Sequence, residues 1–109
     1  MSQTMHRLLL SISCLLVTGF VQAGPMDTVA LEDLLIQDCG SCHGLTMRGG
    51  LGPALLPETL SGKSDALLVA TILDGRPGTA MPPWKAILEK DDAAWMVRRL
   101  KGGLKRGLQ

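Results

Sequence analysis

Cys39 and Cys42 stand three residues apart and His43 follows at once, in the stretch DCGSCHG from Asp38 to Gly44. Three chemistries use such a pair of thiols: disulfide exchange, a zinc site, or covalent attachment of a haem. A redox dithiol belongs where a strand meets a helix, and no segment of this chain alternates apolar and polar residues as a strand does. That role also leaves the histidine without a task. Structural zinc needs four ligands, and outside residues 1–23 the chain has no further Cys or His. Haem attachment uses all three residues. Two thiols on one side of a helical turn reach the two vinyl groups on one porphyrin edge, and the next residue projects its imidazole toward the iron. The motif reads as a haem anchor.

An iron bound by one imidazole has a second axial position, and without another histidine the candidates are methionine, lysine, water or none. Met26 lies at the start of the domain, Met47 is only four residues beyond His43 and so on its side of the ring, and Met96 falls among apolar helical neighbours. Met81 differs. It sits in GTAMPPW, where Pro82 and Pro83 hold the backbone extended and stiff. A stiff loop presents a thioether to iron without further ordering cost, so Met81 is the expected axial ligand; the alternative is an exposed loop residue. Filling both axial positions leaves no room for a substrate, and His/Met ligation raises the reduction potential.

The elements that must position these residues are helical. The spacing of Leu31, Leu34 and Leu35 predicts a helix over about 28–38, capped by Asp27 or Thr28. A Gly/Pro-rich loop follows, long enough to wrap around something. A second helix is expected over 64–74, capped by Ser64 or Ser61 and stopped by Gly75. A short turn covers Trp84 to Leu88, and a last helix spans 91–101 with Asp91 and Asp92 at its positive end. The expected class is all-α.

Residues 1–23 stand apart from this domain. Arg7, an apolar run from Leu8 to Val21 and a small residue at Ala23 form the pattern of a cleaved secretory signal peptide. The run is shorter than the roughly 20 residues of a membrane span, so no span is expected after cleavage. Cys14 lies within the run and leaves with it; an acylated lipoprotein cysteine and a retained anchor are the rival readings. The expectation is a leader, 1–23, and one domain, 24–109, in the periplasm.

The domain has little with which to build a core. Of 109 residues only 3% are aromatic, and Phe20 belongs to the leader, leaving Trp84 and Trp95. Small domains generally need a staple or cofactor to be stable. Net charge is +1, and the loss of Arg7 balances it, which argues against nucleic acid as a partner.

Together these residues resemble the class I c-type cytochromes: a first helix, CGSCHG, a Gly-Pro loop, a middle helix, a methionine loop and a last helix. The resemblance implies three to four helices wrapped around one covalently attached haem c. It implies that Pro53, in LGPAL, lends its carbonyl to the His43 ring, and that Leu55 packs on the haem. Trp84 would donate to a propionate or cover the haem edge. Arg76, just before the methionine loop, reads first as a solvated loop charge, the alternative being a partner for a propionate or for a docking protein's carboxylate. Trp95 would fill the contact of the first and last helices. An apolar edge ringed by Gly44, Leu45, Met47 and Ala80 to Pro83 is also implied.

The stretches LLVATILDGRPGTAMPPW and WMVRRLKGG are similar to the small periplasmic cytochrome c55X family of denitrifying bacteria, associated with cytochrome cd1 nitrite reductase. That resemblance implies a monomeric one-electron carrier and no enzyme, with nitrite reductase or a membrane quinol-oxidising donor as redox partner. A maturation factor for nitrite reductase or its haem d1 is the alternative. A haem enzyme or gas sensor with an open iron is the lesser one, since no distal acid, histidine or tyrosine is evident.

Overall fold

A computed structural model describes residues 24–104. The expected leader with Cys14 lies outside the described residues. The element order is α1 (Thr28–Leu34), a π-helical turn (Leu35–Cys39), α2 (Gly40–His43), α3 (Pro57–Leu60), α4 (Asp65–Asp74) and α5 (Lys90–Lys101). Among the described residues there is no strand, and the fold is all-α as expected.

The start of α1 follows from Asp27, whose carboxylate accepts from the backbone N–H of Val29 and Ala30 at 3.0 Å each. Such a cap stabilises a helix by about 1 kcal/mol. The helix does not stop near Asp38 as expected. It widens into the π turn and continues as α2 through His43, because Gly40 takes the ordinary right-handed conformation (φ −62°, ψ −26°). A π turn inserts an extra residue into the ladder and rotates the next turn about the helix axis. It starts at Leu35, buried together with Leu31, and ends on Cys39, the first residue of the Cys39–His43 motif.

Sequence periodicity missed α3, since four residues are too few to show a period. Pro57 occupies its first turn, where the missing N–H costs nothing, and Leu60 is its buried anchor. Ser64 caps α4 by accepting from Leu67 N at 3.2 Å; Ser61 instead donates to Glu58 O.

The last helix begins one residue earlier than its charge pattern suggested, with Glu89 as cap and a reciprocal bond to Asp92. Asp92 is not a solvated dipole partner. It is 3% exposed, and its two carboxylate oxygens accept from Glu89 N at 2.9 Å and from Met26 N at 3.1 Å. The chain entering the domain is thereby tied to α5, 66 residues later.

The core is built on α5. Met96 and Leu100 join Leu31 and Leu35 with Leu60, Leu88 and Met47, while Val69 of α4 packs on Ala93 and Val97. Trp84 and Trp95 lie half-buried against the first of these groups. Arg99 clamps α5 to α1 through a two-pronged contact, Nε to Glu32 Oε2 at 2.9 Å and Nη2 to Oε1 at 2.7 Å. Among the described residues no helix is long and apolar enough to cross a membrane.

Candidate haem site

The last carbonyls of a helix have no partner within it, and at α2 the adjoining loop supplies them. Gly52 N donates to Cys42 O at 2.9 Å and Gly49 N to His43 O at 2.8 Å. The loop is thus folded back over the end of α2 and brings residues 52–53 against the His43 ring. Its Nδ1 lies 2.7 Å from Pro53 O. A carbonyl can only accept, so Nδ1 carries the proton, and in the neutral imidazole Nε2 keeps the free lone pair. Such an outer bond fixes the ring and strengthens it as a donor. Gly52 makes the approach possible: a Cβ there would stand 2.7 Å from the His43 Cε1 and 2.8 Å from Nδ1.

Cys39 and Cys42 are free and half-buried, one turn apart on the same helix as His43. Burial, helped by the neighbouring Asp38 carboxylate, pushes the Cys39 thiol up to about 11. An exchange-active dithiol works through a thiol whose pKa is lowered, not raised, so the disulfide-exchange chemistry fits poorly. Among the described residues no three His, Cys, Asp or Glu side chains come together to hold a metal ion, and zinc gains no support. Two free thiols, a tautomerically fixed imidazole with Nε2 available and a glycine-cleared ring face are the donor set that haem c requires. The residues fit the group.

Met81 is half-buried in a loop closed at both ends. Arg76 N donates to Met81 O at 3.2 Å; Thr79 Oγ1 donates to Arg76 O at 2.6 Å and accepts from Met81 N at 3.3 Å. Beyond the prolines, Trp84 N donates to Ile72 O and Leu73 O, and Lys85 N to Leu73 O. The loop therefore starts and finishes on the C-terminal end of α4. Gly75, at φ +66°, lets the two sides touch: a Cβ there would meet Pro82 C at 2.6 Å and Met81 O at 2.8 Å.

Of the other expected residues, Leu55 and Trp84 are half-buried against the core group, and Trp95 lies in the same group as Leu31 and Leu35. Arg76 is exposed and enters the loop through its backbone. Met47 does not join an exposed ring. It is 2% exposed because its side chain turns into the core. Sequence reasoning passed over Gly52, Gly75 and Thr79 as parts of the site; the Gly-Pro pair within LGPAL was the one available signal for the first.

Helices gathered on α5, a CxxCH helix end, a carbonyl-fixed histidine and a closed methionine loop define a class I c-type cytochrome. Residues 27–98 match the family model described as cytochrome c oxidase, cbb3-type, subunit III. The chain is 63% identical over 73 residues to cytochrome c55X of Pseudomonas aeruginosa, covering 67% of this chain and 61% of that one. Cytochrome c55X of Paracoccus denitrificans is 47% identical over 91 residues, covering 81% of this chain and 88% of the relative. A solved c-type cytochrome NirC superposes with a TM-score of 0.68 at 57% identity, covering 71% of this chain and 94% of that one. The dihydro-haem d1 dehydrogenase of P. aeruginosa is 44% identical over 80 residues, 73% of this chain but 15% of the enzyme. The chain belongs to this family of cytochrome c domains, and within it to the cytochrome c55X kind. It accordingly binds one class of cofactor, covalently attached haem c with its iron. The match spans a little under two thirds of the P. aeruginosa cytochrome's length.

Proposed function

We propose that the chain is a periplasmic one-electron carrier that serves cytochrome cd1 nitrite reductase, drawing electrons from a quinol-oxidising membrane protein. Cys39 and Cys42 would hold the haem, with His43 and Met81 as the axial ligands. Haem c supplies an iron that alternates between ferrous and ferric. The carrier reading rests above all on the closure of the Met81 loop by Arg76, Thr79 and Gly75. A carrier needs both ligands kept through each change of charge so that little reorganises. A backbone held at both its N–H and its carbonyl supplies that hold from the protein's side. Pro53 O does the same for His43. Leu55 and Trp84 would wall the haem, and Leu45, Ala80, Pro82 and Pro83, all exposed, would form an apolar rim suited to brief docking. Small interfaces of that kind are usual among redox partners.

A second reading, service in maturing haem d1, draws on the similarity to the dihydro-haem d1 dehydrogenase. Reversible reduction of purified nitrite reductase separates the two, since only the carrier requires it.

The test is an optical spectrum of protein matured in a periplasm, ferric and ferrous, with and without carbon monoxide, beside Met81→Ala. The carrier reading expects a far-red methionine–iron band and no carbon monoxide binding, both properties lost in the variant. Ready binding of carbon monoxide by the wild type would overturn it.

A further inference from the structure

Met47 is the one non-glycine among the described residues with a positive φ, +59°. An L-residue is disfavoured there because its Cβ crowds the next carbonyl, whereas glycine sits at no such cost. The same loop already uses glycine at positions 44, 49, 50 and 52, yet position 47 holds a long side chain. A strained residue persists only where its surroundings over-determine it. Here the side chain does so: it is 2% exposed and packs in the core group with Leu31, Leu35 and Leu60.

The backbone of Met47 is equally committed. Its N–H donates to Gly44 O at 2.8 Å and its carbonyl accepts from Leu55 N at 2.9 Å. Gly52 N bonds Cys42 O, Gly49 N bonds His43 O, and Pro53 O accepts from His43 Nδ1, and these three residues all lie between the two fastenings. One buried side chain therefore nails the middle of the loop that clasps the histidine to the helical core.

We infer that Met47 is a positioning residue for His43. Its burial keeps the 44–55 loop shut, so that Gly52 backs the imidazole and Pro53 O retains the Nδ1 proton. The inference rests on the reading of His43 as the iron's ligand.

The experiment compares exchange of the His43 Nδ1 proton by NMR in haem-loaded wild type, Met47→Ala and Met47→Leu, with the Val97 amide of α5 as reference. Exchange in Met47→Ala is expected to quicken by roughly tenfold or more while Val97 stays unchanged, because only the loop opens more often. Met47→Leu, which fills the same space, is expected to restore the wild-type rate. Unchanged Nδ1 exchange in Met47→Ala, or equal acceleration at Val97, would overturn the inference. Should the alanine variant not fold, denaturant-dependent exchange of the wild type decides. The Nδ1 proton and the Leu55 amide are then expected to share one opening event, and independent opening refutes the role. Failure of the underlying ligand reading is seen separately, as wild-type holoprotein lacking iron-shifted His43 ring resonances.

Discussion

At the scale of single residues, the histidine is oriented by backbone rather than by another side chain. Pro53 contributes a carbonyl and Gly52 contributes an absence, so the two substitutions have unequal consequences. Pro53→Ala keeps the acceptor that lies 2.7 Å from Nδ1, and the cost is a looser loop. Gly52→Ala places a methyl 2.7 Å from the ring, closer than real contacts allow, against a side chain fixed at both ends by its role. Gly52→Ala is therefore expected to lower the yield of protein with attached haem severalfold, and to shift the His43 ring resonances of what remains. Pro53→Ala is expected to stay near wild type on both counts. Haem content per purified protein and the NMR of the ferric form check this, and equal effects would show that the close approach of Gly52 is not what matters. Asp92 makes a comparable case on the other side of the molecule. It is buried, and it satisfies the N–H groups of Met26 and Glu89 together. Asp92→Ala orphans both donors, and a loss of about 2–3 kcal/mol in unfolding free energy by denaturant titration is expected.

At the scale of elements, the methionine loop hangs from α4 as a closed ring. Gly75→Ala puts a Cβ within 2.6 Å of Pro82 C and 2.7 Å of Pro83 N, at a φ of +66° that alanine resists. The neighbours are backbone, so the whole loop must move rather than one flexible side chain. The variant is expected to keep its haem but to weaken the far-red band and admit carbon monoxide, falling between wild type and Met81→Ala. Stopped-flow carbon monoxide binding measures it. How well these elements could be foreseen depended on whether their cause is local. Asp27 and Ser64 cap through bonds two or three residues long, so α1 and α4 begin where the sequence pattern places them. Cys39, Cys42 and His43 are legible because their spacing is the chemistry. The burial of Met47 in the core group and the bond of Asp92 to Met26 join residues far apart in sequence, and the π turn is a break in the regular helical period. No local period announces them. Gly75 reads in the sequence as a helix stop, and the prolines it touches lie seven and eight residues away, beyond what a stop signal conveys.

At the scale of the whole molecule, the protein offers few aromatics for its core, and some of its large apolar side chains stand exposed. Leu51 is 78% exposed and Leu45 64%, both on the loop that clasps His43. An attached haem would bring the apolar contact that the core lacks, and the net charge is only +1. The two facts set different expectations. Replacing both anchoring thiols, Cys39→Ala with Cys42→Ala, removes the covalent group, and the chain is expected to lose its cooperative thermal transition by circular dichroism. The balanced charge governs association instead. Steering by charge makes rates fall steeply as salt shortens the Debye length from about 30 Å at 0.01 M to about 3 Å at 1 M. A partner met through an apolar rim lacks that dependence. Over this range the second-order rate of electron transfer to nitrite reductase is expected to change by no more than about threefold, read by stopped-flow oxidation of the ferrous cytochrome. A fall of tenfold or more would instead place the docking on charged side chains such as Arg48 or Arg76, which flank the apolar rim in sequence. Arg76→Ala and Arg48→Ala would then flatten the salt dependence, whereas they leave an apolar encounter untouched.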